Sequence, residues 1–425
     1  MYDFEHGAMP DFLLEEPYYK GDGLLWTSKY NFDFEDKSKR RENVVIHDVT
    51  LRDGDQTPGV VLLEEERVRI ADALAEMGVP RIEAGMPMVG KHVENAMRRM
   101  VARKYPKSKI YAFIRAMKSD AELAVDIGCD GVIVEYTVNP IIIKYAYKKT
   151  PSEVRDMLVE AINTAKAAGL DATFMGWDWF RTPIEYTKWL VGELVSKTAM
   201  DGLVLVDTYG CATPEAVEEM TARFHEWFPS LRLEFHGHND LGCGNANCLA
   251  AVRGGAEVVH GAIHGLGERC GNVATEELAV MFELHKNMRT GIDLTKLYNV
   301  GHLVSTISKV PIYDNKPVLG RRPYMAESGV AMDIAYKLSN SDRNVKNLNI
   351  AVDPSLIGRP DDLEFVLGKS SGKNSIKLFL DKYGIEATNE QIQEILDMVK
   401  AEAMVTKDLV SEGAFRQFVT KVCGK

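Results

Sequence analysis

The sequence predicts a (β/α)8 TIM barrel with an N-terminal arm and a C-terminal helical appendage. Three observations carry the barrel. From residue 44, short apolar runs alternate with longer segments of helical spacing, the rhythm of a parallel sheet built from strand–helix units. There are eight strand candidates, and they span roughly 240 residues, the size of a closed (β/α)8 barrel. A doubly wound open sheet would more often bring a Gly-x-Gly-x-x-Gly fingerprint after its first strand, and none occurs there.

Taken in order, residues 1–43 form an arm in which Tyr2, Phe4, Phe12, Tyr18, Tyr19, Trp26, Tyr30, Phe32 and Phe34 are scattered among acidic residues. Disordered tails are poor in aromatics, so this arm is expected to pack, against a neighbouring subunit or against its own barrel. Residues 44–290 make the barrel, with strands at VVIHDV, RIEAG, KIYAFI, GVIVEY, DATFM, GLVLVD, LRLEF and VVHGAIHG. Between them, LEEERVRIADALAEMG, TPSEVRDMLVEAINTAKAAG and TPEAVEEMTARFHEWF carry helical spacing, and several such segments open on a capping residue and close on glycine. After about residue 290 the rhythm stops. Residues 291–425 show Gly/Pro punctuation around 311–323 and 353–360, then helices near 372–383 and 388–403, a C-terminal helical subdomain.

Composition bounds the function. A chain of 425 residues with 45% apolar content exceeds one ordinary core and suits a large barrel with an appendage. A formal charge of -11 without basic clusters argues against a nucleic-acid partner. No apolar stretch reaches membrane-spanning length, and the acidic, aromatic start lacks the order of a signal peptide. Six cysteines without CxxC or framework spacing are expected to be reduced thiols in a cytoplasmic protein.

The chemistry concentrates at the strand ends. Asp53, in the run HDVTLRDGDQ, follows the first strand, and His236 and His238 end the seventh. In a closed parallel barrel these distant strands are neighbours, with their C-terminal ends on one face. An HxH on a strand places both rings on one side, because side chains alternate with period two. One carboxylate and two imidazoles make an oxygen/nitrogen site suited to a divalent metal with open positions. The plainer alternative is that one histidine is a packed, hydrogen-bonded barrel residue. Asn272, in GERCGN after the eighth strand, is placed to add an oxygen; the glycines there allow close approach to a ligand, or simply make a turn.

TLRDGDQTPGV, IEAGMP, VDTYGCATP, HGHNDLGCGNANCLAAVRGGA, GLGERCGNVATEEL and VLGKSSGKNSI occur in the order found in the DRE-TIM metallolyase superfamily. The chain resembles its Claisen-condensing branch, the 2-isopropylmalate, homocitrate, citramalate and Re-type citrate synthases, from about residue 44 to the C-terminal helices. The GERCGN loop and the GKSSGK segment favour that branch over the hydroxymethylglutaryl-CoA lyase branch. The resemblance implies Mg²⁺, Mn²⁺ or Zn²⁺ on Asp53, His236 and His238, with Asn272 in or next to the coordination shell. It implies that Arg52 stabilises the oxygen that becomes negative, that Gln56 and Glu83 line the pocket, and that Thr208 binds the carboxylate of a 2-oxo acid. The metal would polarise that acid's ketone, and the enolate of acetyl-CoA would attack it. Hydrolysis would then release CoA.

The departures matter as much. The branch usually carries two histidines where this chain has Ala326 and Ala331, a histidine in the segment that here reads Gly368-Lys369-Ser370-Ser371-Gly372, and a fifth-strand Glu at the position of Thr173. The proton-transfer half of the site is therefore rebuilt or lost, with Asp178, Glu135, Glu327 and Tyr145 as replacement candidates, each also readable as an ordinary polar lining residue. Lys144, Lys148 and Lys149 are candidates for CoA phosphates or an extra substrate carboxylate, with a solvated charge run the commoner explanation; Cys211 and Cys270 read as packing. With the sequence ending soon after the GKSSGK helices, no leucine-sensing domain is expected, and that expectation puts homocitrate-type or Re-citrate-type activity ahead. The expected assembly is a homodimer or higher homo-oligomer with exchanged appendages. The rivals are a carbon–carbon lyase or aldolase of the same superfamily and a non-catalytic binding protein.

Overall fold

The structure, a computed structural model, describes residues 19–20, 25–28, 30–339, 350–360 and 363–424. The chain divides into two compact units, Phe34–Ile312 and Met1–Asp33 with Tyr313–Lys425.

The first unit contains the barrel. Its strands are β1 Val45–Asp48, β2 Arg81–Gly85, β3 Lys109–Arg115, β4 Gly131–Thr137, β5 Asp171–Trp177, β6 Gly202–Asp207, β7 Arg232–Gly237 and β8 Val258–Gly261. They close in sequence order, every pairing parallel, with β8 hydrogen-bonded to both β7 and β1. Closure sets His260 opposite His47 and Gly261 opposite Asp48. The eighth strand is shorter than its apolar run: the chain leaves it for a 3-10 turn at Ile263–Gly265, where His264 takes a φ of 72°.

The helices follow from amphipathic spacing and end signals. α1 (Glu64–Met77) buries Val68, Ile70, Ala71, Leu74 and Met77 and ends at Gly78 with φ 90°. A Cβ there would stand 2.6 Å from the Gly291 carbonyl oxygen, so both backbone shape and space require glycine. α2 (Lys91–Arg103) and α3 (Lys118–Ile127) follow β2 and β3. α4 (Pro151–Ala167) starts with a capping box in which Thr150 and Glu153 satisfy each other's backbone N–H groups. α5 (Ile184–Lys197) follows β5, α6 (Pro214–Trp227) is capped by Thr213, and α7 (Gly244–Arg253) and α8 (Thr275–Val280) complete the ring. The unit continues past the barrel through α9 (Leu297–Ser308).

Inside the barrel, Tyr111, Phe113, Ile133, Met175, Val204 and Val206 pack as an apolar cluster contributed by β3 to β6. On the other side of the interior the sequence puts charge and imidazoles, and that contrast creates the site.

In the second unit, Met325–Ala326 pairs in parallel with Glu364–Phe365. Helices Lys373–Lys382, Asn389–Thr406 and Glu412–Cys423 enclose a core that includes Ile376, Ile395, Val399 and Phe415. Tyr19–Lys20 and Leu25–Trp26 form a short antiparallel pair. Of the arm's aromatics, Tyr2, Phe4, Phe12 and Tyr18 lie outside the described residues. Among the described residues no helix is long and apolar enough to cross a membrane.

Candidate active site

The loop after β1 turns at once into a 3-10 helix, Gly54–Gln56, which holds Arg52 and Asp53 at the C-terminal mouth of the barrel. There Asp53 Oδ2 lies 3.6 Å from His236 Nε2 and 3.9 Å from His238 Nε2, and the two Nε2 atoms are 3.4 Å apart. All three side chains are buried. The first and seventh strands do not pair directly: β8 lies between β7 and β1, and across it one carboxylate meets two imidazoles, as the sequence predicts.

The donor set fits a divalent ion. Donors around a cation at about 2.1 Å sit about 3 to 3.4 Å apart, so these spacings need only slight contraction. Burial, then the Arg52 guanidinium, holds His236 well below the usual imidazole range; burial lowers His238 too, against the pull of Asp53. Both rings are thus neutral and offer lone pairs. Asn272 donates from Nδ2 to Asp53 Oδ1 at 3.0 Å and to the Leu266 carbonyl at 2.7 Å, leaving its buried Oδ1 without a partner among the described residues. Gly267 makes this approach possible: with φ 151°, it admits no Cβ, which would fall 2.3 Å from Asn272 Nδ2 and 2.8 Å from Asp53 Oδ1.

Arg52 is clamped. Its Nη1 donates to Asp53 at 2.6 Å, its Nε to Glu83, and its guanidinium lies 4.3 Å from the centre of the Phe113 ring. Nη2 is left buried without a partner among the described residues. Burial alone would raise the Glu83 carboxyl, but Arg52 and a hydrogen bond from His47 outweigh it and hold it down at about 2. Thr208, just past β6, accepts a hydrogen bond from the Asp178 backbone N–H at 2.8 Å. Asp207 stabilises that loop by accepting from the Cys211 and Ala212 N–H groups. Arg52, Asp53, Gln56, Thr208, His236 and His238 line one cavity of about 160 Å³. Glu83 stands behind Arg52, positioning it.

Beneath lies a second buried group, His47, Glu234 and His260, whose donor atoms also cluster. These donors are already paired: His47 Nε2 with Glu83 at 2.9 Å, His260 Nε2 with Glu234 at 2.9 Å, and Arg81 with Glu234 at 2.7 Å. The two rings stack with centroids 4.4 Å apart. Burial, His260 and Arg81 push His47 down to about 3, so it is neutral and donates to the ionised Glu83. In the unfolded chain His47 takes up a proton below about 6.5 and Glu83 below about 4.5. Both folded values lie lower, so stability is full above that range and falls as pH drops from 6.5 towards 2. Thermal midpoints of metal-free protein should decline through pH 6 to 4, and replacing His47 with phenylalanine should flatten the upper part of that decline.

The candidates for proton transfer separate sharply. Thr173 does not reach the cavity. It sits near the start of β5, accepting from Arg232 at 2.8 Å and facing Asp171, so a carboxylate there would join a structural ion pair instead. The β5 side chains that do line the cavity are Met175 and Trp177, which the sequence reading missed. Asp178 is committed to Arg181 at 2.7 and 2.9 Å and to Asn139 at 2.6 Å. Tyr145 and Lys144 are exposed on the π turn Ile142–Ala146, the lysine over the tyrosine ring. Glu327, in the second unit, accepts from the Ser370 N–H at 2.8 Å. Glu135 alone among them lines the cavity, and it makes no hydrogen bond or ion pair among the described residues. Cys211 and Cys270 are exposed rather than packed.

A closed (β/α)8 barrel with a buried carboxylate–imidazole donor set at the C-terminal ends of its strands defines a class of barrel suited to divalent-metal chemistry. Within that class the particular family is the HMGL-like family: its model matches residues 43–304, and the chain belongs to it. The chain is 32% identical to the (R)-citramalate synthase CimA of Methanocaldococcus jannaschii over 90% of its own length and 75% of that protein. It is also 32% identical to the homocitrate synthase AksA of the same organism, over 90% of this chain and 92% of the relative. Among solved structures, the HMG-CoA lyase of Bacillus subtilis superposes with a TM-score of 0.59 at 23% identity, covering 65% of this chain and 97% of the lyase; that likeness concerns the fold.

Proposed function

We propose that the protein is a metal-dependent acyltransferase that condenses acetyl-CoA with a 2-oxo acid and releases CoA. The observation that carries this reading is the convergence of Asp53, His236 and His238 beside Arg52, whose buried Nη2 has no partner among the described residues. A divalent ion bound there would act as a Lewis acid towards the ketone of the acceptor. Membership of a family that includes synthases named for citramalate and homocitrate supports the direction of the reaction.

The chain's own groups divide the remaining work. Arg52, fixed by Glu83 and Asp53, presents Nη2 to the oxygen on which negative charge develops, and its rigidity means that little reorganisation accompanies the reaction. Thr208 donates its hydroxyl proton to the acceptor's carboxylate, since its oxygen already accepts from Asp178. Gln56 lines the cavity. A proton leaves the methyl carbon of the thioester, that carbon bonds to the ketone carbon, and the ketone oxygen takes up a proton. Water then cleaves the thioester to a carboxylate and the CoA thiol. The assembly we propose is a homodimer or higher homo-oligomer in the cytoplasm.

Thiol release from acetyl-CoA with Mg²⁺ or Mn²⁺, scanned over pyruvate, 2-oxobutyrate, 2-oxoisovalerate, glyoxylate, oxaloacetate and 2-oxoglutarate, tests the proposal. Release above the acetyl-CoA blank with at least one acid is the expected result. Silence across the panel in metal-loaded protein would count against condensation.

A further inference from the structure

We infer that the acceptor is a monocarboxylic 2-oxo acid with a small uncharged side chain, and that Glu135 on β4 rejects acids bearing a second carboxylate. The inference rests on the condensation reading above.

The barrel order sets the geometry. Asp53 follows β1 and the two histidines end β7, while β4 is three strands from each, across the interior. An acceptor held at the donor wall would direct its third carbon and beyond towards the opposite wall, built by β3, β4 and β5. That wall presents Phe113, Glu135, Met175 and Trp177, with Val206 beside them. Apart from Glu135 it is apolar, and the cavity, at about 160 Å³, suits a short chain.

A second carboxylate placed there would find no counter-charge. Arg52 is the one cation lining the cavity among the described residues, and it is already shared between Glu83 and Asp53. Arg181 is spent on Asp178, and Arg269 on Asp240 and the Thr208 carbonyl. The remaining charged lining groups, Glu135 and Glu268, are acidic. Among the described residues Glu135 makes no hydrogen bond or ion pair; burial raises its carboxyl to about 7, with Arg52 pulling the other way. Rejection by its charge therefore operates above that pH, and the two acid classes are to be compared at about pH 8. Charge repulsion is strong across a confined, poorly hydrated space, and rejection of the wrong ligand by an uncompensated like charge is a general route to specificity. The relatives named for citramalate and homocitrate stand at the same 32% identity, so the choice between acceptor classes rests on this wall. It reverses the expectation of a dicarboxylic acceptor.

The test compares 2-oxopentanoate with 2-oxoglutarate, which share a carbon skeleton and differ by one carboxylate, and pyruvate with oxaloacetate. Binding to Mn²⁺-loaded protein is measured by calorimetry and thiol release is measured separately, for wild type and E135Q. Wild type should bind the monocarboxylic member of each pair at least tenfold more tightly. E135Q should narrow that ratio at least tenfold, chiefly by tightening the dicarboxylic acids. A wild-type preference for the dicarboxylic acids, or equal or undetectable binding of both classes, overturns the inference even if E135Q does not fold. A monocarboxylic preference unchanged in folded E135Q overturns the assignment to Glu135. Selective binding without any thiol release leaves the specificity standing and removes the condensation reading.

Discussion

Alanine at Asp53 or His236 should remove metal binding and turnover together. Each side chain supplies one of three donors that lie within 4.8 Å of one another, so losing one leaves two, too few to hold an ion in an open site. The Asp53 change does more, because that carboxylate also receives Arg52 Nη1 and Asn272 Nδ2. Metal content after dialysis should fall from about one equivalent per chain to near zero, and kcat/KM by about 10³-fold or more. The two readouts must move together while the far-ultraviolet circular dichroism stays native. Full activity in metal-depleted His236→Ala protein would sink the metal assignment.

Arg52→Ala should be nearly as damaging by a different route. It would delete the group proposed to meet the developing negative charge, an effect worth about 10² to 10³ in kcat. It also strands Glu83, which is fully buried and whose ionised form depends on that guanidinium. Breaking a buried pair from one side costs about 3–5 kcal/mol, so the denaturant midpoint should shift as well. Because the metal donors remain, bound metal should be retained. Arg52→Lys restores charge without the fork that engages Glu83 and Asp53 at once, and should recover stability better than kcat. An Arg52→Ala protein with native kcat would show that the unpartnered Nη2 has no role in the reaction.

Much of the barrel was legible because its strands and helices carry different periods. The run GLVLVD reads as a strand buried on both faces, and β6 occupies Gly202–Asp207 with every residue buried. Capping signals placed α4 and α6 to within a residue. The meeting of Asp53 with His236 and His238 was legible too, since strand order alone makes the first and seventh strands near neighbours. What the sequence hid is which layer of the barrel a side chain occupies. Thr173 and Trp177 lie on the same strand and differ by four residues, yet one joins an Arg232 ion-pair cluster and the other lines the cavity. Likewise Glu135 sits in an apolar strand, where nothing local distinguishes a paired acid from an unpaired one. The His47–Glu83 and His260–Glu234 pairs depend on partners 36 and 26 residues away and on closure of β8 onto β1, so composition gave no hint of them.

The most direct test of the account is to feed Mn²⁺-loaded protein with acetyl-CoA labelled with ¹³C at the methyl carbon and the acceptor that releases thiol. Free thiol and the new hydroxy acid are then counted together by mass spectrometry. Equal amounts of both are expected, with the label joined to the former ketone carbon and both signals lost when the metal is stripped. Thiol formed without a labelled carbon–carbon bond, or signals that persist in metal-free protein, would contradict that expectation.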